Sequence, residues 1–217
     1  MSEQRSSSGE ATRRALMRAA EQLFAAQGVD GTTIAAITVA AGQRNNYAVG
    51  WHFGGKAELL AAVLQKQQQR VDRVRGIVLD ALEAAGPIDT RGVAHGFVAP
   101  LAERLSDEDG GADYLRIQAE ILGRNGAELG FAGPGTRRLL ELGEQAVRPG
   151  PKGSFADVRA LIVSVVFHGL ADFAARRPDA DEDQRAAFER LLVDTVTGLL
   201  DGHNQRATGR AGGRAGP

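Results

Sequence analysis

Cysteine is absent from the 217 residues, which excludes disulfides and thiolate metal sites and suits a reducing compartment. Aromatic side chains are scarce: eight Phe, two Tyr and a single Trp, too few to hint at the chemistry of any ligand. Long hydrophobic runs are missing too. The longest, residues 160–167, is broken by Ser164 and falls far short of the ~20 residues a membrane span requires. The first residues, MSEQRSSSGEATRR, hold no apolar stretch of signal-peptide length. A soluble, cytoplasmic protein with no membrane partner is expected.

Several catalytic and metal-binding patterns are absent or incomplete. His52, His95, His168 and His203 are scattered, with no i,i+4 pair and no clustered carboxylate, so no metal site is expected. Asp107, Glu108 and Asp109, and the acidic run at 179–183, lack the spacing and glycine of a calcium loop. The stretch from Gly50 to Lys56 almost spells a phosphate-binding loop. Ala57 stands where that loop needs Ser or Thr, and no buried strand precedes it. With no nucleophile–base pair in view either, neither an enzyme nor a cofactor is expected.

Charge is nearly balanced overall, at −1, but unevenly spread. Residues 1–60 carry six Lys/Arg against five Asp/Glu, residues 61–202 carry 17 against 22, and residues 203–217 carry three Arg and no acid. A mildly basic head therefore sits on an acidic body. Any attraction to phosphate must come from a few placed donors and helix ends, giving a modest salt slope.

What the chain does have is helical period nearly throughout, with no sustained alternation that would mark a strand. The fold class predicted is all-α: an N-terminal three-helix head and a helical body ending in a helix pair. Residues 1–11 are expected to form a disordered arm, 12–60 the head, 61–202 the body, and 203–217 a disordered basic tail of Gly, Ala and Arg. In the head, helices are predicted from Thr12 to about Gln27, from a cap at Thr32 to a turn at Gly42, and from about Gln43 to Val49. A fourth begins near Lys56, runs for roughly 25 residues and links head to body. Further helices are predicted near 90–106, with Pro100 as a kink or break, and near 112–125, 135–147, 154–176 and 181–201.

The head carries the clearest chemistry. Leu16, Leu23, Phe24, Ile34, Ile37, Val49 and Phe53 supply a small core. Gln43, Arg44, Asn45, Asn46 and Tyr47 are then left on the exposed part of the third helix. Arg can grip guanine O6/N7 at two points, and Asn or Gln adenine N6/N7. Thr32, Thr33, Trp51, His52 and Lys56 flank that helix and suit phosphate contacts, which position a reader without carrying sequence information.

The segments TRRALMRAAEQLFAAQGVDGTTIAAITVAAG and WHFGGKAELLAAVL resemble the tetracycline-repressor (TetR) family of bacterial transcription regulators, over roughly the first 65 residues. The resemblance implies an all-helical homodimer with a divergent ligand-binding body, acting as a repressor. It also puts Thr33, Trp51, His52 and Lys56 on positions that touch the DNA backbone. Two departures stand out. The spacing from Gly42 to His52 is one residue longer than usual, and Gly50 replaces a common tyrosine, with Tyr47 one turn earlier as a substitute.

In the body, Val158, Leu161, Ile162, Val165, Val166 and Phe173, and then Phe188, Leu191, Leu192, Val196, Leu199 and Leu200, make two wide apolar stripes. Pairing the helices at 154–176 and 181–201 with those of a second copy would bury them as a four-helix bundle. His95, Phe97, Leu101, Tyr114, Gln118, Ile121 and Phe131, with His168, are candidates to line a cavity for a small-molecule effector. The resulting expectation is a homodimeric regulator that binds a palindromic operator in double-stranded DNA and is released by an effector. The alternative is a helical ligand-binding or adaptor protein whose head no longer reads DNA.

Overall fold

The computed structural model describes residues 2–45, 47–125, 133–147 and 154–209. The described residues are helical, with no strand. The head contains α1 (Ser2–Gln27), α2 (Ile34–Ala40) and α3 (Tyr47–Phe53). Then come α4 (Lys56–Ala85), α5 (Thr90–Ala102), a 3-10 turn (Glu103–Ser106), α6 (Gly111–Asn125), α7 (Pro134–Ala146), α8 (Ser154–Arg176) and α9 (Glu182–Gly209).

Two cores result. Leu16, Ala20, Phe24, Ile37, Val49, Leu59 and Val63 close the head, and Ile117 of α6 enters the same cluster. The larger body core joins Val71 and Leu79 of α4 to α5, Leu115 of α6, Leu139 of α7, and the inner faces of α8 and α9. Helix α4 serves both. Its buried stripe is Leu59, Val63, Gln67, Val71, Arg75 and Leu79, a strict four-residue repeat. Val74 and Val78, apolar but off this repeat, are only half-buried. Gln67 and Arg75 take core positions instead.

Several boundaries differ from the sequence reading. Helix α1 begins at Ser2 where a disordered arm to residue 11 was expected: no proline interrupts residues 2–11, and a Cβ at Gly9 would lie 4.0 Å from His52 Cε1, so the extension runs beside α3. Helix α9 continues to Gly209 through residues expected to be a loose tail, and Asn204 Nδ2 donates to the Ala146 carbonyl at the end of α7 (3.2 Å). Residues 210–217 lie outside the described residues. Pro100 does not break α5 at its own position. The helix passes it, ends at Ala102 and tightens into the 3-10 turn.

Candidate nucleic-acid interface and effector cavity

The turn between α2 and α3 is built from backbone hydrogen bonds. Thr33 Oγ1 accepts from Ala36 N (3.1 Å) and caps α2. Gly42, at φ +67, closes the other end: its N–H donates to the Val39 carbonyl (3.0 Å) and the Gln43 N–H to the Thr38 carbonyl (2.9 Å). These are the two bonds of a Schellman stop, whose left-handed residue favours glycine. Asn45 Oδ1 then accepts from Tyr47 N (2.9 Å) and starts α3.

This geometry corrects the predicted third helix. Gln43, Arg44 and Asn45 belong to the turn rather than the helix, because the stop at Gly42 and the cap at Asn45 use them up. Tyr47 and Trp51, one helical turn apart, are the outward residues of α3, at 83% and 87% exposed, while Val49 is buried beneath them. Asn46 lies outside the described residues. Arg44 is exposed and Gln43 half-buried.

Thr32 is the second correction. It is buried, and its hydroxyl donates towards the Gly28 carbonyl (2.8 Å) and the Leu23 carbonyl (3.1 Å). It locks the α1–α2 corner and has no surface left for phosphate. Thr33, by contrast, is exposed. Lys56 Nζ reaches the Asp30 carbonyl (3.4 Å) at the same corner, and His52 is half-buried beside Phe53. The guanidinium of Arg13 lies 4.9 Å over the Phe53 ring and steadies the end of α3 from α1. Arg14 and Arg18, not singled out in the sequence, line a groove between α1 and Ala40–Ala41 at the end of α2. A four-residue spacing of exposed arginines opposite the Leu16–Ala20 stripe is the signal that could have found them.

In the body, a narrow cavity with about 40 Å³ of accessible space opens among α4, α5, α6, α7 and α8. Of the candidates, Phe97, Leu101, Tyr114 and Gln118 line it. Three do not. His95 lies in a separate cleft, with Nε2 3.7 Å from Glu189 Oε1, because its position on α5 faces α9. His168 points outward on α8, its Nδ1 paired with the Ser164 carbonyl (2.9 Å). Ile121 packs against the head core. Phe131 is outside the described residues.

Sequence reasoning missed the polar half of this cavity, which comes from α4 and α7. Asp72 Oδ1 accepts from Thr136 N (2.8 Å) and Thr136 Oγ1 (2.9 Å), and Asp72 Oδ2 from Gly135 N (3.2 Å). Arg75 donates to the Gly96 carbonyl (3.1 Å) and to Thr136 Oγ1 (2.6 Å). Burial lowers the Arg75 pKa and raises that of Tyr114, since each charged form is desolvated there. The four-residue repeat of α4, with Arg75 in register with Val71 and Leu79, was the available sign.

Head and body meet along α1, α4 and α6. Val29 N donates to both carboxylate oxygens of Glu120 (3.1 and 3.2 Å). Gln67 donates to buried Glu21 and to the Asp109 carbonyl, and Lys66 and Arg70 pair with Asp109.

Residues 16–63 match the family described as "Bacterial regulatory proteins, tetR family". The HTH-type transcriptional regulator SrpR of Pseudomonas putida is 39% identical over 72 residues, 33% of this chain and 33% of that protein. The match thus spans about a third of the curated relative. A crystal structure of a gamma-butyrolactone receptor (ArpA-like protein) superposes over 87% of this chain and 98% of its own, with 19% identity and a TM-score of 0.47.

Proposed function

Starting from a head of the tetR family over residues 16–63, we propose that this protein is a homodimeric regulator of transcription that binds a palindromic operator and is released from it by a small molecule. One observation carries the reading: α3 is held by a capped turn over a closed core and offers Tyr47 and Trp51 outward, one turn apart. A short, rigid helix with an exposed face suits the major groove. Arg44 and Gln43 flank its start and reach base edges from the turn. Thr33, His52 and Lys56, with Arg14 and Arg18 of α1, hold phosphates.

Dimerisation runs through the outer faces of α8 and α9. Leu161 and Leu191 are 56% and 58% exposed in the protomer, and a second copy would cover them. The cavity among α4–α8 takes the effector. Helix α6 presents Tyr114 and Gln118 to the cavity and Ile117 to the head core, so an effector that moves α6 shifts the head and misplaces the two recognition helices. A coupling of ~1–3 kcal/mol between the sites changes DNA affinity by roughly 5–150-fold. Repression, as opposed to activation, follows the family resemblance.

The test is selection of bound fragments from sheared genomic DNA by the purified protein at two salt concentrations. Enriched fragments sharing an inverted repeat support the proposal. Salt-sensitive binding without an enriched site sinks it and favours a ligand-binding protein whose head has lost specificity.

A further inference from the structure

The cavity in the body is apolar on most sides, with Val71, Phe97, Leu139, Val163, Val166 and Phe167 in its wall. Into this wall is set Arg75, only 7% exposed. A guanidinium stays protonated in proteins, so its charge must be balanced where it sits.

The balance is incomplete. Nε is spent on the Gly96 carbonyl and Nη1 on Thr136 Oγ1, while Nη2 makes no hydrogen bond among the described residues. Asp72, three residues back on α4, attracts Arg75 through space but makes no direct hydrogen bond to it among the described residues; Thr136 bridges them, its hydroxyl donating to Asp72 and accepting from Arg75. Both Asp72 oxygens are taken by backbone and hydroxyl donors at the amino end of α7, and the positive end of that helix offsets their charge. Tyr114 adds a second unspent donor. Its phenol oxygen accepts from Gln118 Nε2 (3.4 Å), but its own proton is given to no described residue. Two donors, one of them cationic, thus share a wall that is otherwise hydrocarbon.

We propose that the effector is an amphiphilic carboxylate, its acid group held by Arg75 and the Tyr114 hydroxyl and its hydrocarbon part by Phe97, Leu139, Val166 and Phe167. The reading rests on the cavity being the effector site. A carboxylate supplies the directly bonded anion that Arg75 lacks among the described residues and matches the fork of a guanidinium. A neutral alcohol of the same length fills the same apolar space and leaves the charge unbalanced.

The experiment uses the full-length protein at pH 7.5, with neutral N-phenyl-1-naphthylamine as the reporter and decanoate and decanol as competitors. Decanoate is expected to displace the reporter at about tenfold lower concentration than decanol, the margin of one charge-assisted contact. Arg75→Gln should remove that preference, weakening decanoate far more than decanol. Should Arg75→Gln fail to fold by circular dichroism, Tyr114→Phe, which keeps the ring, decides the matter by weakening decanoate more than decanol. Equal competition in the wild type, or a preference that survives Arg75→Gln (or Tyr114→Phe, where Arg75→Gln does not fold), overturns the carboxylate and leaves the cavity in place. Failure of the reporter and both competitors to bind overturns the cavity as effector site, and the carboxylate with it.

Discussion

Gln67 donates a 2.9 Å hydrogen bond to Glu21 at the seam where the first helix of the head crosses the long α4 helix. Both side chains are buried. The other Gln67 donor bond goes to the Asp109 carbonyl (2.6 Å), and its Oε1 has no partner among the described residues. Burial raises the Glu21 pKa above the ordinary 4.5, only partly offset by Gln67 and by Lys66 3.6 Å away. The folded protein therefore holds this proton more tightly than the unfolded chain, and the contribution to stability is full below pH 4.5 and lost as pH rises through the raised folded value. Glu21→Gln removes the titration and keeps the shape. Denaturation midpoints measured from pH 4.5 to 8 should show the wild type losing ground to the variant as pH rises; parallel curves would contradict a raised pKa at this seam.

Gly110 sits against the same carboxylate. Its φ of +86 is a conformation that favours glycine, and a Cβ there would collide with the Glu21 carboxyl group. Gly110→Ala adds backbone strain to that collision and should cost at least about 1–3 kcal/mol. Because the loop 107–111 holds α6 against α1 and α4 through Lys66 and Arg70, the loss should appear in thermal melting as a lower transition temperature. An unchanged melt would mean that the seam relaxes without resistance.

The sole tryptophan, Trp51, stands on the outward face of α3 at 87% exposed. In free protein its emission should be that of an indole in water. Operator DNA should quench it or shift it to the blue in a saturable titration, and added salt should reverse the change. Tight operator binding with no change in emission would place α3 outside the groove.

Leu161 of α8 and Leu191 of α9 remain more than half exposed although both helices bury their inner faces. Fully burying a leucine is worth about 1.5–3 kcal/mol, so a double Leu161→Glu/Leu191→Glu variant should shift the mass in sedimentation from a dimer to the 22.9 kDa monomer. Helicity should persist, since neither residue is in the protomer core. A variant that sediments as a dimer would move the interface elsewhere.

The sequence reading located the head core well: Leu16, Phe24, Ile37 and Val49 all lie buried in it. It misplaced the start of α3 because polar residues between two helices look alike in a turn and on an exposed helical face. What separates them is the hydrogen bonding of Gly42 and Asn45. It also mistook Thr32 for the cap: adjacent threonines are equivalent in sequence, and only the backbone decides that Thr33 caps while Thr32 turns inward. In the body, an apolar filter passed over Arg75 and Gln67. Those two residues make polar hydrogen bonds from the buried stripe of α4, and they are visible only once the four-residue repeat is followed through them.

Arg44 and Lys56 should behave differently when removed. Arg44 is exposed in the turn that leads into α3; Lys56 stands at the start of α4, with Nζ near the Asp30 carbonyl (3.4 Å), at the head's edge. Arg44→Ala should cost about 1–3 kcal/mol on the matched operator and little on scrambled DNA. Lys56→Ala should weaken both by a similar factor and lower the salt slope by about one. Titrations of the two variants on matched and scrambled duplexes, each at two salt concentrations, separate the roles. If both variants lose the same factor on both duplexes, Arg44 is a phosphate contact, and base recognition falls to Tyr47 and Trp51 on α3.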